Sequence, residues 1–278
     1  MLNVICFGAS SGGINLYDKI SEKYNILAYT DNDKSKWGEK INEINILSIN
    51  DSLKLNFDRI IITSAPGLES IKKQLIDCGI EKSIIDDSFV IAPLESRRIF
   101  LERLSIMQKD CITQNSQVAE VGVFEGDFAR YINLYYPNQK LYLFDTFEGF
   151  SQNDIIHEEG LSYAKTGDYS NTTVDIVMNK MPYPKMVNIR KGYFPETTKN
   201  IGGEFCFVNL DVDLYLPTYN GLVFFKDKMM NNGVILVHDY FATNFKGPKK
   251  AVDRFIYENP QYNIYPIGDG ISVMIVGF

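Results

Sequence analysis

Short apolar runs alternate with amphipathic stretches along this chain, and this alternation gives the first expectation about its fold. Apolar runs separated by segments with helical spacing are typical of α/β proteins built on a parallel sheet. Two of the runs, Cys206–Leu210 and Val234–Val237, are almost continuously apolar. Central strands that are covered on both faces have this character, so we expect both runs in the middle of a sheet.

The pattern predicts two successive α/β units joined by a helix. We predict a small Rossmann-like domain for residues 1–92 and a connecting helix for residues 93–111. Residues 112–278 are predicted to form a second, larger Rossmann-like domain. The predicted elements of the first domain are the strands Asn3–Phe7, Tyr24–Tyr29 and Arg59–Thr63 and the helix Gly67–Cys78.

The second domain is predicted to end in an antiparallel hairpin, Asn263–Ile267 and Ile271–Val276, that turns at Asp269-Gly270. Residues 147–186 are polar and aromatic with weak periodicity, which is typical of a functional lid with short helices. The other predicted elements are the strands Gln117–Val121, Leu141–Phe144, Val187–Arg190, Phe205–Leu210 and Val234–Val237 and the helices Gly126–Tyr136, Thr173–Met181, Pro217–Met230 and Ala251–Tyr257.

Composition and charge narrow the class of protein. The chain has 278 residues, is 45% hydrophobic and carries a net charge of −7, which is ordinary for a globular protein and disfavours nucleic acid or an anionic membrane as partner. The basic run from Lys246 to Arg254 is an exception that a solvated helix face would explain. Scattered cysteines and the lack of a long apolar stretch predict a cytoplasmic protein with reduced thiols and no membrane span.

Acidic residues follow the two central strands directly. Asp211 and Asp213 come after the first strand, and His238 and Asp239 come after the second. Parallel sheets bind ligands beyond the carboxyl ends of their strands, and oxygen-rich clusters there bind hard cations such as Mg²⁺. We expect Asp211, Asp239 and either Asp213 or His238 to hold the metal. In the alternative interpretation, Asp213 caps the following helix and Asp211 binds backbone amides.

A glycine turn after the predicted strand Gln117–Val121 indicates a nucleoside site. Gly122 and Gly126 would allow a tight turn, and Asp145, about 20 residues further on, could accept hydrogen bonds from ribose hydroxyls. This spacing fits NAD as well as S-adenosylmethionine. However, the acids that crowd the turn disfavour a pyrophosphate and favour a cationic sulfonium ligand; they are Glu120, Glu125 and Asp127.

Several motifs in the second domain together resemble one known family. The segments are Glu120–Gly126, Phe144–Gly149, Lys191–Thr197, Leu210–Tyr215 and Val237–Tyr240. They look like the macrocin O-methyltransferase family of S-adenosylmethionine-dependent, metal-dependent sugar O-methyltransferases. The resemblance covers about residues 112–278 and implies a class I methyltransferase fold. The family tends to have two acids where this chain has His238-Asp239.

The resemblance implies a set of site residues. It places the cofactor at the glycine turn and at the two segments that follow the next strands, and the metal at the acidic strand ends. From the chemistry of those strand ends we expect catalytic roles at Asp211 and His238, with a nearby carboxylate or His238 taking the proton, and with His238 open as ligand or base. The implied cofactor residues are Glu120, Gly122, Phe124, Gly126, Asp145, Thr146 and Gly192.

Two further features are left open by the sequence. His157 lies in the predicted lid, where it could act as a base or be a solvated loop residue. In the first domain, Gly8–Gly13 followed by Asp31 is a dinucleotide-type arrangement, but Ser10 replaces the middle glycine at which a pyrophosphate would approach. This domain could bind a nucleotide handle, mediate assembly or bind nothing.

The sequence therefore predicts an enzyme that methylates a sugar hydroxyl during polysaccharide, glycolipid or natural-product biosynthesis. S-adenosylmethionine and Mg²⁺ are the expected cofactors, and a sugar, nucleotide-sugar or glycan is the expected acceptor; a homo-oligomer is compatible with the sequence. Two alternatives remain: an NAD-dependent sugar-nucleotide oxidoreductase and a non-catalytic binding protein. The acidic strand ends favour the methyltransferase, because hydride transfer needs no metal site.

Overall fold

The structure is a computed structural model that describes residues 1–65 and 67–278. The chain divides into two compact units, Met1–Glu95 and Ser96–Phe278. In the described part of the chain, none of the helices combines the length and the apolar character that a membrane crossing needs.

The first unit contains a six-stranded sheet. In chain order its strands are β1 (Leu2–Phe7), β2 (Tyr24–Thr30), β3 (Lys40–Ile41), β4 (Ile44–Leu47), β5 (Arg59–Ile62) and β6 (Ile85–Asp86). Its helices are α1 (Ser11–Ser21), α2 (Ile49–Ser52) and α3 (Leu68–Asp77), and α4 (Ser88–Gln108) continues into the second unit. The sheet order is β3-β4-β2-β1-β5-β6, and only the short pair β3-β4 is antiparallel among the described pairings.

The second unit contains a seven-stranded sheet. Its strands are β7 (Ser116–Val121), β8 (Lys140–Asp145), β9 (Val187–Lys191), β10 (Glu204–Leu210), β11 (Met229–Val237), β12 (Asn263–Pro266) and β13 (Val273–Val276). Its helices after α4 are α5 (Ala129–Tyr135), α6 (Gln152–Ile155), α7 (Val174–Asn179), α8 (Tyr215–Lys226) and α9 (Gly247–Glu258).

The strand order of the second sheet is β12-β13-β11-β10-β7-β8-β9. The strands from β9 to β11 run parallel, whereas β13 is antiparallel to both β11 and β12. Neighbouring residues of one strand pack into different apolar clusters: Ala119 and Val121 belong to one, and Val118 belongs to the other. Both faces of the sheet are therefore covered, which explains the almost continuous apolar runs of its central strands.

The predicted fold class is confirmed, including the terminal hairpin. The prediction was wrong about the end of the helix before β11, because Met229 and Met230 already belong to that strand. The connecting helix begins at Ser88, ahead of Pro93, and ends at Gln108. The sequence did not indicate β3, β4 and β6, since strands of two to four residues leave little periodicity to detect.

Candidate functional site

The ladders of three neighbouring strands run directly into the candidate site. Leu210 in β10 is paired with Val121 in β7 on one side and with Val237 in β11 on the other. The next residues continue these ladders, because Asp211 N donates to Val121 O at 2.9 Å and His238 N donates to Leu210 O at 3.0 Å. The ends of β7, β10 and β11 therefore lie at one level, and the side chains that follow them meet.

Three of the predicted metal ligands form a compact cluster. Asp211, His238 and Asp239 each offer a ligand atom, and these atoms lie within 4.8 Å of one another. His238 Nδ1 is 3.2 Å from Asp211 Oδ1 and 3.0 Å from Asp239 Oδ2. Nδ1 is buried, yet neither contact has normal hydrogen-bond geometry. A buried nitrogen that faces two carboxylate oxygens in this way is an arrangement that a cation can occupy.

The charges of this cluster are strongly coupled. Burial by itself would lower the pKa of His238, but the facing carboxylates of Asp211 and Asp239 raise it to about 10. Burial opposes ionisation of Asp211 as well, and here His238 and Arg97 prevail and hold its pKa below the ordinary range. His238 similarly lowers the pKa of Asp239 against the effect of burial. His238 and Arg97 are therefore the two positive groups that act on the acids of this cluster.

Asp213 lies beside this cluster and is not one of the three clustered residues. Burial and then the charge of Asp239 raise the pKa of Asp213 well above its usual value. The sequence left open whether Asp213 caps α8. In the structure Glu158 makes the capping contact, because its Oε1 accepts a hydrogen bond from Tyr215 N at 2.6 Å. The Asp213 side chain is thus left to the site.

A buried polar chain connects the cluster to the glycine turn. Arg97, on α4, is only 6% exposed, and its NH2 nitrogen donates to Asn209 Oδ1 and Asp211 Oδ2, both at 2.9 Å. Asn209 Nδ2 in turn donates to Glu120 Oε1 at 2.7 Å. Burial, followed by the charge of Asp211, raises the pKa of Glu120 well above its usual value. The sequence interpretation missed Arg97 and Asn209, although an asparagine inside an apolar strand was a usable signal.

Gly122 is required at its position in the turn. Its φ is +81°, and an added Cβ would lie 1.9 Å from Asp211 O, so the turn packs directly against the end of β10. Asp145 stabilises the same turn, because Oδ2 accepts from Val123 N at 2.7 Å and from Phe124 N at 3.0 Å. The proposed hydrogen bonds from Asp145 to ribose stay a prediction.

The other predicted cofactor residues lie around this turn and beyond the ends of β8 and β9. Gly126 packs where an added Cβ would be 3.0 Å from Val177 Cγ1. Thr146 and Gly192 line a cavity of about 420 Å³ together with Tyr193. The cavity opens at the ends of two strands next to the glycine turn, which is a suitable position for a nucleoside.

The segment 147–172 is attached to the site by side chains. Tyr193 donates its hydroxyl hydrogen to the buried Asp154 at 2.7 Å. The ring of Tyr169 packs edge-on against Phe124 at 5.4 Å and against Phe150 at 5.2 Å. Burial and then the charges of Asp213, Asp239 and Asp211 raise the pKa of the Tyr169 hydroxyl. His157, in contrast, is exposed and is not one of the three clustered residues.

Several residues around the site have left-handed backbone. The φ angles are +48° for Phe124, +55° for Phe147, +65° for Tyr169, +59° for Asp213 and +60° for Asp239. Non-glycine residues rarely adopt this conformation, which costs free energy and concentrates at functional sites. This feature has no counterpart in the sequence pattern.

In the first unit, the Asp31 carboxylate is hydrogen-bonded and ion-paired within the unit itself. Its Oδ2 accepts from Ala9 N at 2.9 Å, and Lys36 Nζ lies 3.1 Å from the same oxygen. Lys36 also donates to Ser10 Oγ at 2.6 Å. The serine that replaces the middle glycine therefore forms part of a paired cation–acid contact at the turn.

Comparisons with known proteins match both parts of the chain. A family model described as Macrocin-O-methyltransferase (TylF) matches residues 105–264. Another, described as C2185-like, N-terminal, matches residues 1–85. No curated protein matches the sequence.

Solved structures that are similar to this chain include two O-methyltransferases. NovP superposes with a TM-score of 0.51 at 17% identity. The match covers 64% of this chain and 78% of the NovP chain. CalS11, a calicheamicin methyltransferase, gives a TM-score of 0.54 at 13% identity and covers 77% of this chain and 87% of its own. An apo structure of CalS11 is described as a TDP-rhamnose 3'-O-methyltransferase. It gives a TM-score of 0.50 at 12% identity, and the match covers 77% of this chain and 96% of the CalS11 chain. At these identities the likeness establishes the fold.

Proposed function

This chain belongs to the macrocin-O-methyltransferase (TylF) family, and from that membership we propose that it methylates a hydroxyl group of a sugar at the carboxyl edge of its second sheet. The membership makes it an S-adenosylmethionine-dependent O-methyltransferase. The acceptor, the metal and the roles of individual residues are our proposal. The observation that carries this proposal is the cluster of Asp211, His238 and Asp239 directly beside the glycine turn.

The donor set of the cluster fits a divalent cation. Asp211, His238 and Asp239 offer two carboxylate oxygens and one imidazole nitrogen within 4.8 Å of one another, and the nitrogen is buried without a normal hydrogen bond. A divalent cation bound there would lower the pKa of an acceptor hydroxyl and orient it. The chain's own residues would fix this position, since the backbone ladders of β7, β10 and β11 bring the three ligands together.

Asp213 is the group that we assign to proton removal. Asp211, His238 and Asp239 are engaged as ligands in this proposal, whereas Asp213 lies beside them and has no helix to cap. A carboxylate within hydrogen-bond distance of the acceptor hydroxyl can act as general base. This assignment refines the prediction from the sequence, which placed the catalytic roles at Asp211 and His238.

We propose that the acceptor is a sugar, carried by a nucleotide or by a glycan. The aromatic wall of Phe124, Phe150 and Tyr169 borders the acidic cluster, and aromatic faces suit the apolar faces of sugars. CalS11 is described as acting on TDP-rhamnose, which supports a nucleotide-linked sugar. Natural-product, polysaccharide or glycolipid biosynthesis would use such a reaction. The buried free thiols of Cys6 and Cys206 fit a reducing, cytoplasmic compartment.

The proposal is tested by methyl transfer to a panel of acceptors. Nucleotide-linked and free sugars are incubated with the protein and S-adenosylmethionine, with Mg²⁺, with Mn²⁺ or with a chelator. We expect S-adenosylhomocysteine and a methylated sugar to form with at least one acceptor, and the chelator to abolish both. Binding of S-adenosylhomocysteine without turnover of any sugar would favour the non-catalytic alternative. Sugar-dependent reduction of NAD would favour the oxidoreductase.

A further inference from the structure

Arg97 is a buried cation whose described hydrogen bonds lead to Asp211 in the candidate metal site and to the neighbouring Asn209. The guanidinium lies over the Phe128 ring, with Cζ 4.0 Å from the ring centroid, and the residue is 6% exposed. A buried charge is tolerated only where it is paired and hydrogen-bonded. Arg97 meets this condition through Asn209 and Asp211, and its Nε is buried without a partner.

The two oxygens of the Asp211 carboxylate have different partners. Oδ2 accepts the hydrogen bond from Arg97 NH2 at 2.9 Å, while Oδ1 faces His238 Nδ1 at 3.2 Å. One oxygen is therefore fixed by the guanidinium and the other points toward the cluster. Without Arg97, Oδ2 would lose this hydrogen bond, and the carboxylate could rotate more freely about its contact with His238.

The orientation of the guanidinium is itself fixed from two sides. Asn209 is fully buried and is held by Glu120, so its Oδ1 presents a fixed acceptor to Arg97. The Phe128 ring lies against the guanidinium, with Cζ 4.0 Å from the ring centroid, and limits its movement from that side. A planar, delocalised group is needed for this arrangement, and a lysine ammonium could supply the charge but not the plane.

We propose that Arg97 is a positioning residue of the metal site: by binding Oδ2 of Asp211, it would leave Oδ1 to face a cation held by the cluster. This inference rests on the proposed function and adds a residue outside its ligand set. Residues that orient the ligands of a metal typically contribute about 10- to 100-fold to metal affinity. Charge alone predicts the opposite effect, since a positive group beside the site repels a cation.

The test is direct binding of Mn²⁺, measured by electron paramagnetic resonance on protein saturated with S-adenosylhomocysteine, so that no turnover is involved. Arg97→Lys keeps the charge and loses the plane, and we expect it to weaken Mn²⁺ binding about 10-fold or more. Phe128→Leu keeps Arg97 and removes the ring beneath it, and we expect a smaller loss. The matched control is Arg98→Lys, because Arg98 bonds Tyr135 and Glu102 away from the cluster; it should bind like the wild type.

Thermal melting of each variant without metal reports folding separately. If Arg97→Lys is folded and binds Mn²⁺ as the wild type does, the positioning role is overturned while the proposed function stands. If Arg97→Gln binds Mn²⁺ more tightly and Arg97→Lys is unchanged, Arg97 acts through its charge alone, which also overturns the proposal. Absence of Mn²⁺ binding by the wild type would overturn this inference together with the metal part of the proposed function.

Discussion

At the scale of single residues, the main distinction is between the acids that hold a cation and the acid that takes a proton. Asp211 and Asp239 face His238 Nδ1 within 3.2 Å. Asp213 is not one of these three residues, and burial and the charge of Asp239 raise its pKa well above the usual value. Neighbouring carboxylates can thus serve different purposes because their contacts differ.

Replacing Asp213 with Asn keeps the size and the hydrogen-bonding capacity of the side chain but removes the proton acceptor. We expect kcat to fall by about 10²- to 10⁴-fold, which is the usual contribution of a general base. Mn²⁺ affinity should change by less than about threefold, far below the effect of losing a ligand or its support. Steady-state kinetics and metal titration on the same preparation separate the two effects. A variant with normal kcat would show that another group takes the proton.

Replacing His238 with Asp tests whether the imidazole is a ligand. Imidazole nitrogen suits transition metals, whereas carboxylate oxygen suits Mg²⁺. The wild type should therefore prefer Co²⁺ over Mg²⁺ more strongly than His238→Asp does, by about 10-fold in the ratio of dissociation constants. Competition titrations give this ratio. An identical ratio in both proteins would mean that His238 does not bind the metal.

The sequence predicted the acidic strand ends but not the residues that support them. Strand ends are predictable, because an apolar run and the polar residue that follows it are both local features. Arg97 is far from Asp211 in the chain, and its contact depends on how α4 packs against the sheet. The left-handed backbone of Asp213 and Asp239 likewise depends on the folded surroundings.

At the scale of elements, residues 147–186 were predicted to form a lid with short helices, one of them at Thr173–Met181. The structure contains two short helices there, α6 (Gln152–Ile155) and α7 (Val174–Asn179). What attaches the segment is tertiary: Asp154 accepts from Tyr193, and Glu158 accepts from the first backbone N–H of α8. Neither partner could be inferred from spacing along the chain.

The burial of Asp154 predicts a pH-dependent stability. Burial raises the pKa of Asp154, and the hydrogen bond from Tyr193 only partly offsets this effect. With a raised folded-state pKa, the group's stabilising contribution is present below the unfolded pKa, at about 4, and is lost as the pH rises through the folded pKa. Asp154→Asn keeps an acceptor oxygen and removes this dependence.

We therefore expect Asp154→Asn to melt at a higher temperature than the wild type at neutral pH, with the difference shrinking toward about pH 4, near the ordinary pKa of Asp. Differential scanning fluorimetry across this range measures the difference. Glu159→Gln, at an exposed position of the same segment, is the matched control and should show no such trend. A constant difference between Asp154→Asn and the wild type at every pH would contradict the prediction.

At the scale of the whole molecule, the two units contain mostly parallel sheets but different clusters of charged side chains. The parallel strands of the second sheet and its terminal antiparallel hairpin follow from local patterns, so the fold class was predictable. Within the described residues, the group able to hold a metal lies in the second unit. The first unit has a cation–acid contact at its turn, between Lys36 and Asp31. A nucleotide handle on the first unit stays a prediction.

The central claim is that the second unit binds a divalent cation beside the methyl donor through Asp211, His238 and Asp239. Calorimetric titration with S-adenosylhomocysteine, followed by Mn²⁺, tests it most directly on the wild type and on Asp239→Asn. We predict that both proteins bind S-adenosylhomocysteine with similar affinity and that only the wild type then binds Mn²⁺ at one site. Equal Mn²⁺ binding by folded Asp239→Asn, or no Mn²⁺ binding by the wild type, would contradict the account.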